Sequence, residues 1–451
     1  MTVEPSFGER NFGEAELGDR RRTARLVEIA DRLASHPGGS LPEKLASAAQ
    51  LRAAYRLMAR PEVTHEAVFA GHREATLARA AAHEGRLLAI CDTTELDYTS
   101  HARLERLGPI GDGGGRGYLA HHVLLVEPTT QSVVGLAEQI LKTRRRAPAD
   151  EMRAESRADA DRESRLWTRG TAHLAADPRL TVVADRGADV FEFLEDQARS
   201  GRRFIVRAKA DRNALVGGRK TKLFAWARGL RSCGERTILI GRGRRSARLS
   251  ISCGRTNLIP PRQPCGEHSQ RPLSTGVVRV WEPRPPRGVK PVEWILLTNA
   301  ACDDARAAAE VVDDYSCRWI VEEFHKGLKS GCDVERLRLG DEERLQPMIA
   351  LLSVAALTLL ELRDAARDDS RRLEPAERLV PRAWLEVLRL SQGREPCEPC
   401  TVGELMRELG RLGGHPAHPS SPKPGWLVLW RGWQRLQLLA AGAELVRKNC
   451  G

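Results

Sequence analysis

Two aspartates and one glutamate, far apart in the sequence, stand where their carboxylates could act together. Asp92 follows the apolar run 87–91 and Asp185 follows the apolar run 180–184, so each acid ends a predicted buried strand. Glu322 lies on a predicted helix. Three such carboxylates, brought together by a sheet, can hold two hard divalent cations. Paired ions of this kind catalyse phosphoryl transfer. Because a strand-end aspartate more often caps the following turn, the hypothesis depends on the combination.

The helix that carries Glu322 is predicted to cover residues 315–329. At about 100° per residue, its polar and aromatic residues share one arc of about 100°. These residues are Tyr315, Arg318, Trp319, Glu322, Lys326 and Lys329. The opposite side is apolar, with Ile320, Val321, Phe324 and Leu328. Such a helix buries one face and presents a carboxylate among cations and aromatic rings, which suits a polyanion held near a metal ion.

Three regions must position these residues. Residues 14 to about 82 are predicted to be helical, with short breaks at Pro and Gly. Strands are predicted at 87–92, 118–127, 132–140, 180–185 and 204–207, with helices at 151–176 and 189–199. This order predicts an α/β domain with a mixed five-stranded sheet flanked by helices. A β-rich insertion follows at about 210–300, then a helix over 303–330 and further helices at 342–367, 376–391, 401–412 and 426–447.

The composition favours a soluble protein with an anionic partner. The 451 residues suffice for two or three domains. A net charge of +12 and a pI near 9.5 most often accompany nucleic-acid binding. The first ten residues hold no apolar core, and the longest apolar run, 348–360, is too short to cross a bilayer. We therefore expect no signal peptide and no membrane partner. The ten scattered cysteines indicate a reducing cytoplasm.

The signature helix and the acid blocks together resemble the DDE transposases of bacterial cut-and-paste elements. Within that group they look like the insertion-sequence-four family, which includes the transposon-five transposase. That family spaces Tyr, Arg, Glu and Lys with two, three and six residues between them, as do Tyr315, Arg318, Glu322 and Lys329. The first acid block, 92–94 (Asp-Thr-Thr), and the second acid block, 185–189 (Asp-Arg-Gly-Ala-Asp), occur in the family's order. Likeness at residues 17–26 and in the tryptophan-rich helix from residue 426 extends the resemblance over nearly the whole chain.

The resemblance implies an RNase H-like catalytic domain that binds two Mg²⁺ ions, with Mn²⁺ as a substitute. The implied catalytic and metal-binding residues are Asp92, Asp185 and Glu322. In the family, water attacks the transposon end, and the freed 3′-hydroxyl forms a hairpin that is reopened before strand transfer. Phosphate contacts beside the scissile bond are implied for Tyr315, Arg318 and Lys329, and further ones for Arg207 and Lys209.

A hairpin requires one base to leave the stack, which calls for an aromatic side chain. Trp294 matches the tryptophan that the family uses for this purpose, and Trp319 is the neighbouring aromatic residue on the helix. Because Trp294 begins the apolar run 294–297, plain core packing is the alternative for it.

Two features near the acids depart from the family or compete with the assignment. The family often has Glu where this chain has Gly187, and we expect that change to loosen the local loop without touching a metal ligand. Asp97 could be mistaken for the first ligand, but Asp92 ends the apolar strand and is preferred.

The resemblance also implies three domains: a helical DNA-binding domain at 1–82, the catalytic domain at 86–330, and a helical dimerisation domain at 341–451. Candidate contacts to double-stranded DNA at the transposon ends are Arg20, Arg21, Arg22, Arg25 and Arg56, although a basic helix face is often simply solvated. The expected partners are transposon-end and target DNA and a second copy of the chain in a synaptic complex. We expect a cytoplasmic bacterial protein, located at the nucleoid when bound to DNA.

Two other functions stay open. One is a catalytically silent DNA-binding or inhibitory relative, which the presence of all three acids and of the basic N-terminal region argues against. The other is a nuclease of the same fold with a different substrate, which the β-rich insertion and the aromatic residues argue against.

Overall fold

The chain forms two compact units in the computed structural model, which describes residues 5–36, 38–45, 47–145, 159, 161–240, 245–262, 268–416 and 423–450. The first unit comprises residues 1–75, 129–135 and 323–451, and the second comprises residues 76–128 and 136–322. The three functional domains expected from the sequence remain a prediction.

Short, capped helices make up the N-terminal part. They are α1 (Phe7–Phe12), α2 (Arg20–Ser35), α3 (Leu41–Leu45), α4 (Ala48–Met58) and α5 (His65–Ala82). The Asp19 carboxylate accepts the Arg21 N–H at the start of α2, and the Ser47 hydroxyl accepts the Gln50 N–H at the start of α4. The predicted helical N-terminal region is therefore present.

A mixed sheet supports the second unit. Its first strands are β1 (Leu87–Asp97), β2 (Gly108–Ile110), β3 (Gly115–Val126), β4 (Val133–Lys142), β5 (Leu180–Ala184) and β6 (Arg203–Arg207). The five predicted strands lie in the order β4-β3-β1-β5-β6. Strand β1 runs antiparallel to β3 and parallel to β5, and β5 runs parallel to β6. Helix α7 (Phe191–Arg199) provides the crossover that the parallel pair β5–β6 requires.

The prediction of a helix over 151–176 can be compared with the structure only at residues 159 and 161–176, because the others lie outside the described residues. In that part the prediction is wrong. Only a 3₁₀ turn (Glu163–Arg165) and the short helix α6 (Leu166–Gly170) form there. The helix ends at Gly170, which packs so closely on His121 that a Cβ would lie 2.6 Å from the imidazole Nε2.

The sequence predicts a core sheet of five strands, but the sheet continues beyond them into the insertion. The insertion provides β7 (Asn213–Val216), β8 (Arg219–Lys222), helix α8 (Leu223–Gly229), β9 (Gly234–Ile240), β10 (Arg245–Leu258), β11 (Leu273–Trp281) and β12 (Glu293–Thr298). Strand β12 pairs antiparallel with β6, which would otherwise be an open edge. The insertion thereby continues the core sheet to twelve strands instead of forming a separate layer.

The signature helix is interrupted, so the prediction of one helix over 315–329 is wrong. Helix α9 (Ala305–Ser316) ends before Cys317, α10 (Trp319–Lys326) begins after Arg318, and a π-helical turn follows (Gly327–Gly331). The Ser316 hydroxyl donates to the Val312 carbonyl at 2.8 Å, a back-bond that competes with the helix ladder. The predicted apolar face is confirmed, since Ile320, Val321, Phe324 and Leu328 are all buried.

The C-terminal helices belong to the first unit. They are α11 (Glu342–Ala355), α12 (Leu357–Arg367), α13 (Arg382–Ser391), α14 (Val402–Leu412) and α15 (Trp426–Cys450). Helix α11 packs against α2 and α4 and is buried on nearly all sides. The stretch Glu342–Arg367 is long and apolar enough to cross a membrane by length and composition alone, but 83% of its apolar part is buried in the protein, as in a core helix.

Candidate active site

Neighbouring parallel strands bring Asp92 and Asp185 side by side. Where β1 pairs with β5, Cys91 lies opposite Ala184. The residue that follows each of them is one of the two acids. Adjacent strands lie about 4.8 Å apart, which fixes the spacing of the two backbones. Only Asp185 caps the turn that follows it, as the alternative interpretation expected. The prediction that Asp92 ends its strand is wrong, because β1 continues to Asp97 and Asp92 pairs with His122 of β3. The Asp92 carboxylate accepts the Thr93 N–H at 2.8 Å, and the Asp185 carboxylate accepts the Gly187 N–H at 2.7 Å.

Arg318 links the third acid to the first. Its guanidinium donates to the Glu322 carboxylate at 2.5 Å, one helical turn away, and lies 3.3 Å from a carboxylate oxygen of Asp92. The Arg318 and Asp92 side chains are only 18% and 17% exposed, so the pair is shielded from solvent. The structure thus brings all three predicted acids to one place, with a cation between two of them.

Burial is the main influence on the electrostatics of this place. It raises the pKa of Asp92 from 3.8 to about 6, against the opposing effect of Arg318 and with smaller contributions from the carboxylates of Asp185 and Glu322. Burial tends to lower the pKa of Arg318, but Tyr315 and the acids outweigh it and the pKa is raised. The low solvent access of the site therefore keeps the Asp92 carboxyl group partly protonated near neutral pH.

The residues fit a hard divalent metal, although they do not form a closed metal cage. The donor set is entirely carboxylate oxygen, the kind preferred by Mg²⁺ and Mn²⁺, and the excess negative charge favours added cations. Within the described part of the chain, no three His, Cys, Asp or Glu side chains surround one point closely enough to hold an ion. The Arg318 guanidinium explains this, because it stands between Asp92 and Glu322.

A second cluster of predicted residues lies beside the acids. The Tyr315 hydroxyl and the Arg207 guanidinium are hydrogen-bonded, and Arg207 also donates to the Glu293 carbonyl at 2.9 Å. The Trp294 ring packs edge-on against the Tyr315 ring, with centroids 5.2 Å apart. Burial raises the pKa of Tyr315, against Arg318 and Arg207, which lower it, while Asp185 adds to the rise. Tyr315 therefore joins the cationic cluster to the acids.

Trp294 is half-buried, so it is neither a plain core residue nor a free platform. Trp319 is more accessible, at 42% exposure. Lys209 has an exposed side chain, and Lys329, in the first unit, pairs with Glu335 at 3.5 Å. The structure thus brings Tyr315, Arg318, Arg207 and Trp294 together and does not show Lys329 with them.

Family models match two separate stretches of the chain. Residues 5–63 match the model described as Transposase DNA-binding, and residues 163–359 match the model described as Transposase DDE domain. Together they cover more than half of the 451 residues. The chain is a DDE transposase. It is therefore a metal-dependent enzyme of DNA phosphoryl transfer, and its sheet contains an RNase H-like core. Asp185 and Glu322 lie within the second match, and Asp92 precedes it.

The first match contains all five of the predicted N-terminal arginines of the transposase. Arg20, Arg21 and Arg56 are exposed and have no carboxylate partner among the described residues. Arg22 pairs with Glu62 at 2.9 Å, and Arg25 pairs with Glu28 at 2.5 Å. The first three are therefore the most available for an anionic ligand.

Sequence reasoning missed the role of Asp189. Its fully buried carboxylate accepts the Lys209 and Ala210 N–H groups, at 2.7 and 2.8 Å, and pairs with Arg212. Asp189 therefore fixes the loop that carries Lys209. The residue stood in the second acid block, but nothing in that block identified its partners, which lie about 20 residues further along.

Gly187 has a tighter role than the sequence suggested. A Cβ at this position would lie 2.7 Å from the Trp167 ring and 3.0 Å from the Asp185 carboxylate. The expectation of a looser loop is therefore wrong, because Trp167 fills the space that a larger residue would need. Asp97, the rejected alternative ligand, accepts the Thr99 N–H at 2.8 Å and caps a turn.

Proposed function

We propose that this transposase moves DNA by cut-and-paste transposition and belongs to the insertion-sequence-four family, with a mechanism like that of the transposon-five transposase. It binds terminal inverted repeats, cuts each transposon end through a hairpin, and joins the ends to target DNA. The observation that supports this best is that Asp92 and Asp185 directly follow the last pair, Cys91 with Ala184, of the parallel strands β1 and β5. Arg318 connects Glu322 to Asp92.

In this proposal Asp92, Asp185 and Glu322 hold two Mg²⁺ ions, for which Mn²⁺ can substitute. When bound, such ions supply an activated nucleophile and stabilise the leaving oxygen. Asp92 must give up its proton to act as a ligand, and its raised pKa makes that step dependent on pH near neutrality. Arg318 must release at least one of its two carboxylates if all three are to bind ions, and a DNA phosphate is a suitable alternative partner for a guanidinium.

The cations around the acids hold the DNA strand. Arg318 and Arg207 are both hydrogen-bonded to groups at the site, so their guanidinium positions are fixed before DNA arrives. Tyr315 orients Arg207 through its hydroxyl. Lys209, held by the loop that Asp189 fixes, contacts a phosphate further from the cut, and Lys329 contacts another. Fixed donors bind phosphate with a smaller loss of side-chain entropy than mobile ones.

Trp294 holds the base that leaves the stack when the hairpin forms. The ring is half-buried and its packing on Tyr315 sets its angle, so a flipped base can stack on a face whose orientation is fixed. The more exposed Trp319 contacts the DNA beside it. Loss of Trp294 should therefore impair the hairpin step more than the first nick.

A second copy of the chain completes the synaptic complex. Helix α15 exposes Leu438, Leu439, Leu445 and Val446, a set of large apolar residues on one element. We assign this set to dimerisation. In analytical ultracentrifugation with transposon-end DNA, Leu438→Ser with Leu445→Ser should lose the two-subunit complex. Leu373→Ser, which changes an 84% exposed leucine elsewhere, should retain it.

In the decisive experiment, the full-length protein is incubated with linear DNA that carries the element's own ends. The pH is that of the cytoplasm, where we expect the protein to act. With Mg²⁺, wild-type protein should give hairpins and excised ends, and with EDTA it should give neither. Glu322→Gln should abolish cutting while leaving gel-shift affinity within about threefold, because one neutralised ligand removes metal chemistry and not DNA contact. Glu310→Gln, at an exposed glutamate on α9, is the matched control and should cut normally.

Other outcomes distinguish the alternatives. A gel shift without any cutting would indicate the silent or inhibitory relative. Cutting that ignores the transposon ends would indicate a nuclease. Trp294→Ala that nicks and forms hairpins at the wild-type rate would refute the base-stacking role.

A further inference from the structure

Two cysteine thiols of the β-rich insertion are in contact. The sulfurs of Cys233 and Cys253 lie 3.6 Å apart. Among the eight cysteines that the structure describes, no other pair of sulfurs lies this close. Cys233 directly precedes β9, and Cys253 lies on β10, the strand with which β9 pairs. Both belong to the second unit, and neither is part of the acid site.

The backbone holds this contact in place. In the pairing of β9 with β10, Gly234 lies opposite Ile251. The N–H of the preceding residue, Cys233, also donates to the Ile251 carbonyl, at 2.8 Å. This offset brings the chain before β9 alongside β10. On the other side, the Cys253 thiol lies 4.0 Å from the Asp304 carbonyl, at the start of α9. A disulfide requires the sulfurs to approach to about 2.05 Å, and they already lie 3.6 Å apart.

The two thiols differ in access to solvent. Cys233 is exposed, while Cys253 is partly covered. Burial, followed by the contact with Cys233, raises the pKa of Cys253 to about 12, so this residue stays a thiol at neutral pH. An oxidant therefore reaches Cys233 first. A third thiol, Cys302, is fully buried nearby and its pKa is raised by burial, so it is not available to a soluble oxidant.

We propose that Cys233 and Cys253 form a reversible disulfide when the protein meets a hydroperoxide. The Cys233 thiolate attacks one peroxide oxygen, the O–O bond breaks, and with hydrogen peroxide the second oxygen leaves as water after protonation. The resulting sulfenic acid is then attacked by the Cys253 sulfur, which loses its proton, and a second water is released. Two thiols are oxidised by two electrons and one peroxide is reduced to two waters. A dithiol reverses the reaction by thiol–disulfide exchange.

The disulfide would fasten β9 to the sheet. Among the described strands, β9 pairs with β10 alone. It also contacts α9, where Arg236 pairs with Asp313 at 3.1 Å. Cross-linking two positions 20 residues apart restricts the opened hairpin and makes opening of β9 less favourable. Amide exchange in β9 should therefore slow by at least about fivefold on oxidation, while exchange in α15, in the other unit, should not change.

The test uses the full-length reduced protein and hydrogen peroxide. After blocking free thiols with N-ethylmaleimide, cleavage at Arg231, Arg236, Arg248 and Arg255 releases peptides 232–236 and 249–255, each with one of the two cysteines. Mass spectrometry without reductant should find these two peptides joined, and dithiothreitol should separate them. The β9 exchange rate is then compared before and after oxidation.

Matched serine variants identify the partners. Cys233→Ser and Cys253→Ser should each abolish the joined peptide, whereas Cys302→Ser and Cys397→Ser, the latter at another exposed cysteine, should retain it. Three results would overturn the proposal. These are Cys233 oxidised to sulfinic acid with no joined peptide, Cys233 joined to Cys302 instead, or stoichiometric zinc on the untreated protein that is lost from Cys233→Ser.

Discussion

Replacing Asp92 by asparagine should stabilise the metal-free protein, although it should destroy catalysis. The pKa of Asp92 rises from 3.8 to about 6, chiefly because the side chain is buried, so folding disfavours its ionised form by about 3 kcal/mol. Asparagine carries no charge and keeps an oxygen to accept the Thr93 N–H. The favourable contact with Arg318 is already part of this pKa and is not subtracted again. The expected gain is therefore about 3 kcal/mol above neutral pH.

The pH dependence provides the sharper measurement. Between about pH 4 and pH 6 the folded state binds the Asp92 proton more tightly than the unfolded state does, so wild-type stability falls as pH rises through this range. The asparagine side chain of the variant does not titrate. The stability advantage of Asp92→Asn should therefore grow by about 2 kcal/mol between about pH 4.5 and about pH 7.5. Asp314, whose pKa is likewise raised to about 6 by burial, is present in both proteins and cancels in the comparison.

The assay is urea unfolding in EDTA, read by hydrogen exchange of peptides from β1 and β5 so that the second unit is followed by itself. Asp112→Asn, at an exposed aspartate in the turn between β2 and β3, is the control for the same chemical change and should show no pH-dependent difference. A difference between Asp92→Asn and wild type that is flat across this pH range would refute the argument that burial and neighbouring acids control this carboxyl. Added Mg²⁺ should stabilise the wild type and leave Asp92→Asn unchanged.

Two further variants, one single and one triple, test the loop at the second acid and the N-terminal helices. Gly187→Ala places a methyl group 2.7 Å from Trp167 and should cost about 1–3 kcal/mol in urea unfolding, with a slower rate of DNA cleavage. Unchanged stability would mean that the loop moves freely. Changing Arg20, Arg21 and Arg56 together to alanine should lower the slope of log Kd against log salt by about 3, measured by fluorescence anisotropy with transposon-end DNA. An unchanged slope would show that these exposed side chains do not contact phosphate.

Local patterns in the sequence predicted most elements well, because each has its own periodicity and its own end signals. The five core strands and the N- and C-terminal helices occur close to where they were predicted. The failures came from interactions between distant residues. Strand β12 closes the edge of β6 through pairs such as Leu296 with Arg207, and no local signal in either segment specifies that pairing. The break at Cys317 and Arg318 similarly depends on side chains that bond back to the helix, which helical periodicity does not register.

For the site, the sequence identified the residues better than their contacts. The i,i+4 spacing of Arg318 and Glu322 favours an ion pair, and the structure has it, although α10 begins only at Trp319. That Arg318 also reaches Asp92, more than 200 residues earlier in the chain, is information that the motif does not contain. The sequence block around Asp189 likewise does not reveal its contacts, since the N–H groups that donate to its carboxylate come from the loop after β6.

The register between β1 and β5 is what converts two separate sequence blocks into one site. With Cys91 opposite Ala184, the two acids follow at the same level and both extend beyond the paired residues. A slip of one residue would turn one of them to the other face of the sheet, because side chains alternate along a strand. The apolar runs before the acids fix the register, since Ile90, Cys91, Val183 and Ala184 are all fully buried. The core packing of four apolar residues therefore determines whether the two carboxylates can act together.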